Sequence, residues 1–81
     1  MNEKELKILK EITSCMDMIL IDKQYIFKDS WKTCNINYLI EKLFVKVQEI
    51  FLPNHTNDRK LRDLIHTINY CFFLYYRLRE V

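Results

Sequence analysis

The chain has 81 residues, a net charge of +2 and a hydrophobic share of 49%, and it contains no glycine and one proline. This length suits one small domain, and the hydrophobic share is too high for a disordered chain. The small net charge does not by itself indicate nucleic-acid binding. Because a chain without glycine cannot easily form the tight turns of β-hairpins, the composition predicts an all-α domain with short polar loops.

Two further features bear on where the protein works. The cysteines Cys15, Cys34 and Cys71 lie far apart, without CxxC or metal-ligand spacing, which predicts reduced thiols. The first ten residues lack the apolar region of a signal peptide, and no run reaches the roughly 18 apolar residues of a membrane span. We therefore expect a cytoplasmic protein without a membrane partner.

The first predicted helix runs from Asn2 or Glu3 to Ile21. Asn2 can cap it, and the acidic side chains of the first turn favour the positive end of the helix dipole. Apolar side chains recur at helical spacing and predict one buried face. This stripe contains Ile8, Leu9, Ile12, Met16, Ile19 and Leu20.

The segment 22–35 mixes aromatic and charged residues without a clean period, and we interpret it as an extended aromatic loop. Tyr25, Phe27 and Trp31 need somewhere to bury their rings. Aromatic loops of this kind either cover a core or form part of a site. Both readings stay open, and the functional one is that Trp31 stacks on a nucleobase.

The second predicted helix runs from Ile36 or Asn37 to Leu52, with Asn35 or Asn37 as its cap and Pro53 as the residue that ends it. Its apolar residues form a regular stripe, widened by two phenylalanines. The stripe contains Ile36, Leu39, Ile40, Leu43, Val47 and Ile50, with Phe44 and Phe51 beside it.

The third predicted helix runs from Arg59 to Arg79, after a polar turn over residues 53–58, and Thr56 or Asn57 can cap it. One face is apolar at helical spacing, and the opposite face is polar. The apolar stripe contains Leu61, Leu64, Ile65, Ile68, Phe72 and Tyr75, and the opposite face carries Asp63, His66, Tyr70 and Arg77.

Together these elements predict a small antiparallel bundle of three helices with an aromatic loop between the first two. The end of the third helix is apolar nearly all round, which is more than an 81-residue chain can cover by itself. We therefore expect a homodimer through the last helix. The predicted interface residues are Tyr70, Phe73, Leu74 and Tyr76.

Two stretches carry a family resemblance. KDSWKT at 28–33 precedes a helix, and LRDLIHTINYCFFLYYRL at 61–78 follows a second helix and a polar loop. This order resembles the all-α nucleoside triphosphate pyrophosphohydrolases of the MazG-like group, in particular small relatives with K-x-x-D-Y-G-x-S-W and a later E-x-x-D-(L/V)-A-N-Y. The resemblance spans about residues 23–78. It matches Lys23, Ser30, Trp31, Asn69 and Tyr70 to the family motifs.

The resemblance implies a metal site that this chain has in altered form. In the family, E-x-x-E on one helix and E-x-x-D on the next hold Mg²⁺, a hard cation that prefers oxygen ligands. Here Lys46 and Glu49 occupy the first motif, and Asp63 and His66 the second, so two of the four carboxylates are absent. A protonated lysine cannot bind Mg²⁺ and repels it. We expect hydrolysis to be lost and no cofactor to be bound.

Three functional hypotheses follow. The first is a non-enzymatic binding or inhibitor protein, a phage or mobile-element accessory of the anti-defence type, that blocks a host macromolecule or sequesters a nucleotide through Lys23, Trp31, Lys46 and Asn69. The second is a pyrophosphohydrolase that uses Mg²⁺ or Mn²⁺ at Glu49, Asp63 and His66. The third is a plain helical protein-interaction module with no site.

Overall fold

The computed structural model describes residues 1–27 and 29–81, with side chains described for residues 1–22 and 29–81. It contains three helices, α1 (Glu3–Phe27), α2 (Ile36–Ile50) and α3 (Asn57–Arg79), and a short 3₁₀ turn (Ser30–Lys32) between α1 and α2. The described residues include no β-strand. The predicted all-α bundle of three main helices is confirmed.

Each helix begins at a residue that the sequence marks as a cap. The Asn2 side chain accepts a hydrogen bond from the Glu5 backbone N–H at 2.9 Å, and the Glu5 carboxylate accepts one from the Asn2 backbone at 3.1 Å. Asn35 caps α2 and Thr56 caps α3, each through its side-chain oxygen. These bonds satisfy backbone donors that the first turn of a helix leaves unpaired.

Helix α1 is longer than the sequence predicts, because it continues past Ile21 to Phe27. Most of the first half of the expected loop is therefore helical. The residues after Ile21 include no glycine or proline, so nothing in the backbone stops the helix there. Asp29 then takes a left-handed conformation with φ of 60°, which aspartate tolerates better than most residues, and leads into the 3₁₀ turn.

The core lies mainly between α2 and α3, and α1 covers less of α3 than α2 does. On α2 the predicted stripe is largely correct, with Leu39 fully buried and Leu43, Val47 and Ile50 half-buried. The phenylalanines expected to widen it, Phe44 and Phe51, are instead exposed. The described chain buries few large apolar side chains, so its margin of stability is thin.

The face of α3 that packs inward is the one predicted to be polar. Asp63, Asn69 and Phe73 are buried there, and Tyr70 and Arg77 are half-buried. The predicted apolar stripe lies largely on the outside, where Leu61 and Tyr75 are more than half exposed. The assignment of the two faces was wrong because contacts that the helical period cannot reveal orient the helix. Two of them, made by Phe73 and Arg77 to the segment before α2, are described below.

None of the helices in the described part of the chain combines the length and apolar character needed to cross a bilayer.

Candidate functional site

A groove between α2 and α3 gathers the four residues that the family resemblance assigns to a metal site. Lys46 and Glu49 reach it from α2, and Asp63 and His66 reach it from α3. Each pair is spaced i, i+3 and so lies on one side of its helix. The rest of the described lining is charged and consists of Asp58, Arg59 and Arg62.

The carboxylate of Glu49 is already paired within the groove. Lys46 Nζ lies 3.4 Å from Glu49 Oε2 and donates a hydrogen bond to it, and both side chains are largely shielded from water. An ammonium group at this distance neutralises the carboxylate. Lys46 therefore pairs with a carboxylate that would otherwise be available to a metal ion.

Asp63 faces a residue that sequence analysis did not connect with it. His55 Nδ1, in the turn before α3, lies 3.4 Å from Asp63 Oδ2, and both side chains are nearly buried. The two atoms are close enough for an ion pair when His55 is protonated, but they are not aligned as a hydrogen bond, and neither has a hydrogen-bond partner elsewhere in the described structure. His55, which the sequence suggests is an unpartnered surface residue, is thus nearly buried against Asp63.

The donor set does not fit the Mg²⁺ or Mn²⁺ site that the family resemblance implies. Among the described residues, no group of three or more His, Cys, Asp or Glu side chains is placed to hold a metal ion. Glu49 is bonded to Lys46, and Asp63 turns toward His55. The proposed metal set of Glu49, Asp63 and His66 shares a groove without converging on one point.

Trp31 packs against the aromatic residues of α3. Its ring stacks on Phe73 with centroids 4.6 Å apart and planes 19° apart, and it meets Tyr76 edge-on at 5.2 Å. Tyr70 in turn meets Phe73 edge-on at 5.7 Å. Such arrangements are favourable beyond the area that they bury. Of the two readings of Trp31, core packing is the one that the geometry favours.

Arg77 fixes the segment before α2 onto α3. Its Nη1 donates hydrogen bonds to the backbone oxygens of Trp31 at 2.9 Å and Cys34 at 2.7 Å. Hydrogen bonds from a charged donor are about twice as strong as neutral ones. Arg77 was expected on a solvated face, and that prediction is wrong. The signal that could have revealed its role is that it is the one cation in the apolar run 70–78.

A cavity of about 260 Å³ lies beside Trp31 and Phe73, between α1, the 3₁₀ turn, α2 and α3. Tyr70 reaches it from α3 and Tyr38 from α2. Burial is the main reason why the pKa of Tyr70 is raised above its usual 10.0, with smaller contributions from Tyr38, Cys34 and Glu49. The Tyr70 hydroxyl is therefore held in its neutral form.

Asn69 is the most isolated polar residue of the predicted site. It is 3% exposed, and neither its amide oxygen nor its amide nitrogen has a hydrogen-bond partner in the described part of the chain. The sequence indicates that this residue needs a partner. The structure buries it without supplying one, at a typical cost of about 1–3 kcal/mol.

The remaining predicted residues are placed as follows. The side chain of Lys23 lies outside the described residues. Of the predicted interface residues, Tyr70, Phe73 and Tyr76 make ring contacts within the chain, and Leu74 is half-buried. Phe73 is buried and Tyr70 is half-buried, whereas Tyr76 remains 39% exposed. The dimer itself stays a prediction.

Comparison of the chain with models of known protein families, with curated proteins and with solved structures finds no match.

Proposed function

We propose that this protein is a non-enzymatic binding protein that acts by docking onto another protein. The observation that supports the non-enzymatic part of this proposal most directly is the contact between Lys46 and Glu49 at 3.4 Å. It pairs a lysine of the chain with a carboxylate that the MazG-like resemblance assigns to metal binding. Because its carboxylate is paired in this way, the groove lacks the negative charge that would bind a divalent cation for a triphosphate substrate.

A protein is a better candidate partner than a free nucleotide. The groove brings together the cations Lys46, Arg59 and Arg62, but Glu49, Asp58 and Asp63 balance them. A balanced groove offers a phosphate little net attraction. Trp31, the candidate for base stacking, already packs on Phe73.

The candidate docking surface is one flank of α2, which we call the α2 flank and define as Ile40, Phe44 and Phe51. The spacing of four and then seven residues places these side chains on one side of the helix. Phe44 is 65% exposed and Phe51 is 78% exposed. Large aromatic side chains left in water at helical spacing are typical of a helix that lies in an apolar groove of a partner.

A pull-down from lysate of the organism that encodes the protein tests this surface. We expect a captured protein to be lost at least tenfold in the double variant Phe44→Ser, Phe51→Ser, because aromatic anchors dominate such interfaces. Met18→Ser is the matched control, since Met18 is an equally exposed apolar residue on α1. Circular dichroism checks that each variant is folded.

Equal capture by the wild type, the control and the double variant would exclude the α2 flank as the docking surface. Metal-dependent release of pyrophosphate from nucleoside triphosphates by the unmodified protein would contradict the non-enzymatic part of the proposal.

A further inference from the structure

A second apolar surface lies on the outer side of α3, opposite the groove. Its residues follow one another at spacings of four and three, as in the seam of two paired helices. We call it the α3 seam, and it consists of Leu61, Ile65, Ile68, Phe72 and Tyr75. Leu64, Cys71 and Leu78 extend it on one side.

We propose that a second copy of this chain covers the α3 seam, with the two α3 helices antiparallel. Leu61 is 61% exposed, Tyr75 is 67% exposed and Leu78 is 64% exposed, although all three are large and apolar. With Leu64 and Phe72, they leave roughly 600 Å² of mostly apolar surface per copy in water, which reaches the lower end of the about 600–1,000 Å² per partner of specific interfaces. The surface is therefore large enough for a dimer.

Side-chain size along the seam favours the antiparallel arrangement. The smaller residues Leu61, Ile65 and Ile68 come first along the helix, and the rings of Phe72 and Tyr75 come last. A parallel pair would place ring against ring at one end and aliphatic against aliphatic at the other. An antiparallel pair centred near Tyr70 places Ile65 opposite Tyr75 and Ile68 opposite Phe72, so that large meets small at the four central positions and the helices keep an even separation there.

The antiparallel arrangement also agrees with the helix dipoles, which then point in opposite directions. Like a parallel pair, it has a two-fold axis, as closed dimers do. This contact uses α3, whereas the proposed docking surface is on α2. The two proposals can therefore fail separately.

Cys71 distinguishes the two orientations. It is a free, exposed thiol beside the seam, one residue from the proposed two-fold axis, or about 1.5 Å along the helix. In the antiparallel pair, both Cys71 side chains lie on the same side of the seam near the axis, where a short thiol-reactive cross-linker can join them. In a parallel pair they lie on opposite sides of the seam, out of reach of each other.

The first test is the mass of the full chain in solution, measured by light scattering at tens of micromolar. We expect a dimer for the wild type and a monomer for Tyr75→Glu or Tyr75→Lys, since both introduce a charge into the seam at a position that the monomer leaves exposed. Met18→Glu, which adds the same charge on α1, should remain dimeric. A monomeric wild type, or a dimer that persists in both seam variants, would overturn the proposal.

The second test is treatment of the variant Cys15→Ser, Cys34→Ser, which retains only Cys71, with a short bismaleimide cross-linker. We expect a covalent dimer in most of the protein, none when Cys71→Ser is added, and little when the reaction is carried out in denaturant. A dimer by light scattering that forms no such cross-link would show that the antiparallel register is wrong.

Discussion

At the scale of single residues, Asn69 is the polar side chain that needs a hydrogen-bond partner most and has none among the described residues. The sequence places an amide in an apolar neighbourhood, and the structure buries that amide without a hydrogen-bond partner among the described residues. Removing an unpaired buried polar group recovers its desolvation cost.

We therefore predict that Asn69→Leu, which nearly conserves volume, raises the free energy of unfolding by about 1–3 kcal/mol. Chemical denaturation measures the change, and Asn37→Leu, at an exposed position of α2, serves as the control. A loss of stability in Asn69→Leu, with the control unchanged, would mean that the Asn69 amide makes a bond that the structure does not contain.

At the scale of elements, Arg77 determines how the segment before α2 attaches to α3. One guanidinium nitrogen serves the backbone oxygens of Trp31 and Cys34, which brings Trp31 onto Phe73. A lysine carries the same charge, but its nitrogen lies one atom closer to the backbone and does not reach the position from which Nη1 bonds both oxygens.

Arg77→Lys should lower the free energy of unfolding by about 1–3 kcal/mol, because charge-assisted hydrogen bonds to half-buried carbonyls are lost. Arg79→Lys, at an exposed position two residues later, should change it by less than about 0.5 kcal/mol. Thermal and urea denaturation, followed by Trp31 fluorescence, report both values. Equal effects of the two substitutions would show that Arg77 makes no specific contact.

The same elements show how far sequence reasoning reaches. The caps at Asn2, Asn35 and Thr56 are local signals, and they locate the helix starts to within a residue or two. The end of α1 was missed because the charged residues directly after Ile21 obscure the apolar period, although no residue there breaks the helix. Helix ends that lack a breaker depend on tertiary contacts.

The two faces of α3 could not be told apart from periodicity, because both carry large apolar side chains. What selects the inner face is a contact between residues distant in the chain, Trp31 with Phe73, together with the bonds from Arg77. For the site, the resemblance located the groove residues on α2 and α3. It could not reveal the approach of His55 to Asp63, since no helical spacing connects a turn residue to the helix that follows it.

At the scale of the whole molecule, the chain is small, has a thin core and leaves two apolar surfaces outside, the α2 flank and the α3 seam. In the described structure, one charged groove contains the residues that match the family resemblance. Its Glu49 carboxylate is already paired with Lys46 of the same chain. Exposed apolar surface and an internally compensated groove together favour binding over catalysis. We therefore expect this groove to bind no catalytic metal.

The most direct measurement is a thermal-shift titration of the unmodified protein with Mn²⁺ or Mg²⁺, each alone and with a nucleoside triphosphate. A ligand that binds only the folded state stabilises it by about 2.7 kcal/mol at a hundredfold excess over Kd, which is readily measured. The variant Lys46→Glu, His66→Asp restores the absent carboxylates and serves as the positive comparison. We expect no metal-dependent rise in the Tm of the wild type. A rise that requires the metal would show that the groove does bind a catalytic metal.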